Sequence, residues 1–78
     1  MQEFRIRIRS FDEVKDFIRI STSQPFPVYI GNDRQMVNST SYMGLMSLDH
    51  TGDLLVQTDC SDSEFLDFRN QAARFLAE

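Results

Sequence analysis

The chain has 78 residues, eight basic against twelve acidic, and a net charge of −4. That length makes one small domain, residues 1–78, which buries only roughly 60% of its unfolded surface and needs every element to pack well. The acidic balance speaks against sequence-independent binding to nucleic acid, which requires a basic footprint.

Phe4-Arg5-Ile6-Arg7-Ile8-Arg9 alternates strictly. It predicts a half-buried strand whose arginines form an outward, solvated stripe. Ser10 with Glu13 three residues on is a capping box, so a helix should open here and run to about Ser21. Phe11, Val14, Phe17 and Ile18 share its apolar face. Pro25 and Pro27 exclude further helix. Val28-Tyr29-Ile30 and Gln35 to Asn38 are strands joined by Gly31-Asn32-Asp33, a hairpin whose strands must be antiparallel.

A short helix is expected from about Ser41 to Leu48, a turn over Thr51-Gly52-Asp53, and a last strand from Leu54 to Thr58. Ser61 and Glu64 form a second capping box. The closing helix should bury Phe65, Phe68, Ala72, Phe75 and Leu76. The fold class is therefore α+β, in the order β-α-β-β-α-β-α. The expected architecture is an open-faced sandwich with Phe4, Ile6, Ile8, Val28, Ile30, Val37 and Val56 on the covered sheet face.

Chemistry is sparse. One cysteine, Cys60, excludes an internal disulfide and fits a reducing compartment. Asp59 and Asp62 beside it make it an inert thiol. One histidine and one cysteine cannot build a zinc site, so no metal and no cofactor are expected. The N-terminus lacks the apolar stretch of a signal peptide, and no run approaches the length of a membrane span. The expected location is cytoplasmic.

The segment Val37 to Leu48, VNSTSYMGLMSL, stands out. A turn this short cannot form a core alone, so it reads as a docking surface carrying a modifiable hydroxyl. Flexible thioethers suit adaptable interfaces, and at least one of Met43 and Met46 must be exposed. Ser41 also fits the N-cap of the short helix.

This segment closely resembles the regulatory site of HPr, the phosphocarrier of the bacterial sugar phosphotransferase system. The family's pattern is a serine, an apolar residue, Met-Gly, an apolar residue and Met-Ser-Leu. The element order is also similar. The resemblance implies a four-stranded antiparallel sheet with three helices on one face. It places the regulatory phosphoserine at Ser41 and partner docking at Met43, Leu45, Met46 and Leu48, with Met43 exposed. It implies protein partners: a phosphotransferase-system component, an HPr kinase or a transcription regulator. A monomer is expected, with no nucleic-acid or membrane partner.

The resemblance breaks before the first helix. The family carries a Gly-Leu-His-Thr-Arg-Pro loop there, whose histidine relays phosphate. Here Arg9-Ser10-Phe11-Asp12-Glu13 follows the strand directly, with neither the histidine nor its arginine. Asp12 and Glu13 would repel a phosphoryl group at that helix start. The basic residue that often precedes the family's regulatory serine is also absent; Thr40 stands there. The leading expectation is a non-catalytic binding protein, not an enzyme, involved in carbon catabolite regulation. The alternatives are a phosphocarrier using His50, or a decayed paralogue or structural small domain.

Overall fold

The computed structural model describes residues 1–32, 34–48 and 52–77. The elements in chain order are β1 (Gln2–Ile6), α1 (Phe11–Thr22), β2 (Val28–Gly31), β3 (Met36–Asn38), α2 (Tyr42–Met46), β4 (Leu54–Thr58) and α3 (Asp62–Gln71). A 3-10 turn over Ala73–Phe75 follows. The four strands form one sheet in the order β1-β4-β2-β3, every neighbouring pair antiparallel. Each strand-helix-strand passage therefore joins strands that are not parallel neighbours.

Alternation builds the core. Phe4, Ile6 and Ile8 are buried while Arg5, Arg7 and Arg9 are exposed. Val28, Ile30, Leu54 and Val56 complete the covered sheet face. Helix α1 adds Val14, Phe17 and Ile18, α2 adds Leu45, and α3 adds Phe68. Aromatic rings knit the layers. Phe68 lies 5.5 Å from Phe4, 6.2 Å from Phe17 and 5.9 Å from Phe26 between ring centroids. Phe17 also meets Phe75 edge-on at 5.4 Å.

The two longer helices start as expected. Ser61 and Glu64 exchange hydrogen bonds as a full capping box. At α1, Ser10 Oγ accepts from the Glu13 amide at 3.2 Å, but the Glu13 carboxylate reaches one residue further back, to the Arg9 amide at 2.6 Å. Hairpin β2–β3 turns on Asn32, whose Oδ1 accepts from the amides of Arg34 and Gln35. A Cβ on Gly31 would collide with the Gln35 carbonyl, so the close approach of the two strands requires glycine there.

Several expectations are corrected. The side-chain alternation of β1 continues to Arg9, but the strand ends at Ile6, because Ile6 pairs with Leu54, where β4 begins. Phe11 is 54% exposed instead of buried. It is the first residue of α1 and lies against Tyr42, with ring centroids 6.3 Å apart. The short helix spans Tyr42–Met46, not 41–48. The closing helix does not carry Phe75 and Leu76. It stops at Gln71, the 3-10 turn brings Phe75 into the core, and Leu76 bridges to Ile6 of β1.

Asp16 ties the outer surface of α1 to that final turn. Arg74 and then Arg19 hydrogen-bond its carboxylate and hold its pKa below the ordinary value. A depressed carboxyl pKa contributes stability above the unfolded value of about 4 and loses it as pH falls through the folded one. Asp16→Asn is expected to make the acid-side decline of thermal stability shallower below about pH 4. Melting curves across that range for both proteins check this.

Candidate functional site

The segment after β3 is held by side chains. Asn38 Oδ1 accepts from the Thr40 amide at 2.9 Å and from the Thr40 hydroxyl at 2.7 Å. Ser39 turns inward and is buried, its Oγ 2.6 Å from Ser21 Oγ of α1. Ser41 then adopts an extended conformation as N-cap, with its Oγ accepting from the Gly44 amide at 3.1 Å. The Ser41 carbonyl accepts the first helical bond, from Leu45, at 3.0 Å. At the far end the Ser47 hydroxyl donates to the Gly44 carbonyl at 2.7 Å. A Cβ on Gly44 would lie 3.1 Å from Val37 Cβ, so α2 packs hard against β3 at that point.

Five residues of helix make little more than one turn. Leu45 faces inward with no exposure, and Leu48 is also buried. This corrects the expectation that they contact a partner. A helix resting on a sheet must anchor one side, and these leucines are the anchor. The other side is apolar but wet: Met43 is 84% exposed, with Met46 and Tyr42 also exposed. Phe11 extends the patch from α1, and Lys15 Nζ lies 5.5 Å from the centre of its ring. The stretch Gln35 to Leu48 carries no charged residue, in a chain that is 26% charged. Exposed apolar side chains gathered on an uncharged surface are what a protein partner can desolvate cheaply.

Sequence reading missed Phe11 and Tyr42 as members of this patch. Phe11 matched the apolar face of α1 by spacing. Its place directly after the N-cap, at the rim of the core, was the available sign that it would face out.

The Ser10 hydroxyl and the Glu13 carboxylate are both engaged with backbone amides. A serine needs an adjacent base to act as nucleophile, and among the described residues no base hydrogen-bonds Ser10. Arg7 is paired with Asp53 at 2.7 Å. Cys60 is half-buried with its Sγ 3.4 Å from Thr58 Oγ1. Among the described residues, no three His, Cys, Asp or Glu side chains could hold a metal ion. No helix among them is long and apolar enough to cross a membrane. His50 lies outside the described residues.

The solved structure of HPr-C-His from Thermoanaerobacter tengcongensis matches this fold with a TM-score of 0.74, over 95% of this chain and 92% of that chain. The two sequences are 18% identical, so the likeness defines the fold: an HPr-like open-faced β-sandwich. No protein-family model and no curated protein sequence matches the chain.

Proposed function

We propose that this chain is a non-catalytic regulatory protein related to the phosphotransferase system, acting by binding another protein instead of relaying phosphate. One observation carries the reading: the apolar surface of Met43, Met46, Tyr42 and Phe11, most of it on a stretch without charged residues, stands exposed beside an α1 start that is capped and acidic. The resemblance of the segment around Ser41 supplies the partner classes: a phosphotransferase-system component, an HPr kinase or a transcription regulator. Protein of this kind works in the cytoplasm, as a monomer between encounters.

Ser41 is the switch in this reading. Its side chain is exposed, and no carboxylate lies within the neutral stretch to repel an added phosphate. Phosphorylation would add about −1.5 to −2 charge at neutral pH beside Met43 and recast the surface from apolar to anionic. Incubation with HPr kinase and ATP is expected to place one phosphate on Ser41, read by mass spectrometry. An unmodified Ser41 removes the switch and leaves a constitutive binder.

Incubation with enzyme I and phosphoenolpyruvate is expected to leave the chain unlabelled. An acid-labile label that disappears in His50→Ala would show a phosphocarrier instead, and would overturn the binding-only reading.

A further inference from the structure

The β1 edge of the sheet is closed by residues 75–77 of the same chain. The Arg7 amide donates to the Phe75 carbonyl at 2.8 Å, and the Ala77 amide donates to the Arg5 carbonyl at 3.1 Å. These bonds flank the antiparallel bridge between Ile6 and Leu76. In a strand, the N–H and C=O of one residue point to the same side and alternate along the chain. Glu3, Arg5 and Arg7 therefore aim their backbone groups away from β4, at this edge. Phe75 is fully buried, whereas Leu76 and Ala77 are only half-buried. The two residues that cover the edge can lift without emptying the core.

An uncovered edge strand is a template for another strand. The charges of β1 select what would pair with it. If two copies of β1 meet antiparallel about a two-fold axis at Phe4, Glu3 of each copy stands opposite Arg5 of the other. Opposite charges across such a pair stabilise it, and like charges oppose it. Centring the axis on Arg5 puts two arginines face to face. Centring it on Ile6 sets Arg5 against Arg7. Of these, the Phe4 register alone sets Glu3 against Arg5 twice with no like-charge pair, and it leaves Arg7 opposite Met1. That register needs the Arg5 carbonyl, which Ala77 occupies, and the space beside Ile6, which Leu76 occupies.

We infer that residues 75–77 form a strap that gates a homodimerisation edge: while it is seated, β1 is closed, and when Leu76 and Ala77 lift, β1 pairs with β1 of a second copy. This edge is separate from the Met43 surface and does not depend on its role. Glu3, which also accepts a hydrogen bond from Gln57 at 3.2 Å, stays on the solvated face in both states.

Ala77→Pro in the full chain tests the strap. Proline has no N–H to give Arg5. Leu76 already holds φ −60° and ψ 132°, a conformation that a residue before proline adopts without strain. By analytical ultracentrifugation, the unsubstituted chain is expected to remain monomeric, while Ala77→Pro dimerises at least tenfold more tightly. Adding Glu3→Arg to Ala77→Pro should return the monomer, and adding Arg5→Glu to that pair should restore the dimer. A monomeric Ala77→Pro protein, or a dimer indifferent to Glu3→Arg, overturns the inference. Should Ala77→Pro fail to fold, hydrogen exchange on the unsubstituted chain decides. The Arg7 amide should be protected and the Arg5 amide should exchange quickly; equal exchange at the two overturns the strap.

Discussion

Phe68→Ala is expected to destabilise the protein by about 3–5 kcal/mol, the range for removing a fully buried phenylalanine. Phe68 is the side chain on which the sheet, α1 and the connection before β2 meet. Its ring touches Phe4 from the sheet, Phe17 from α1 and Phe26 from the connection before β2. It is also the one residue of α3 with no exposure. Truncation would cost the transfer energy of the ring, leave a cavity, and remove edge-to-face contacts with two of its neighbours. A chain of this size has a total stability of only about 4–12 kcal/mol, from a per-residue share of roughly 0.05–0.15. The variant should therefore populate the unfolded state measurably at room temperature. Urea titration followed by circular dichroism reads the shift in midpoint. A loss under about 1 kcal/mol would mean that α3 does not close the core as described.

The second large effect separates the two sides of α2. Leu45→Ala is expected to cost about 2–5 kcal/mol, as for other buried leucines. Met43→Ala, two residues earlier, should change stability by no more than about 0.5 kcal/mol. Leu45 has no exposed surface, while Met43 is among the most exposed side chains of the fold. The comparison matters for function because it identifies the variant to use in binding work. Met43→Ala deletes the centre of the proposed docking surface and leaves the scaffold intact, so any loss of partner binding is a loss of contact. Thermal melts of the two variants side by side check this. Equal destabilisation would place Met43 in the core and remove the surface.

Much of the fold was legible in the sequence because its signals are local. Strict alternation marked the buried residues of β1, and Leu54–Thr58 emerged with the expected bounds. Ser10 and Ser61 announced both longer helices by capping. What was not legible depends on neighbours distant in sequence. Nothing within β1 says that β4 begins opposite Ile6, or that β4 separates β1 from β2. Phe11 has the right spacing to be buried, but the core ends before reaching it. Leu76 continues a helical stripe, yet backbone bonding to Arg5 and Arg7 draws that segment into the sheet. At the candidate site the motif located α2 but not its facing. Apolar residues on a one-turn helix look alike in sequence, and only the contact with β3 and α1 assigns Leu45 inward and Met43 outward.

The buried pair of hydroxyls under the loop before Ser41 has a direction. Ser21 has a single hydroxyl hydrogen, and it donates that hydrogen to the Phe17 carbonyl at 2.9 Å. Its oxygen can then only accept from Ser39, so the relay runs from Ser39 to Ser21 to the backbone of α1. The two serines are thus unequal. Losing Ser39 leaves one acceptor lone pair on Ser21 unfilled. Losing Ser21 strands a donor hydrogen in an apolar interior, which is the costlier defect. The loop that presents Ser41 to solvent is therefore tied to α1 through this relay, in addition to its bonds to Asn38 and Val28.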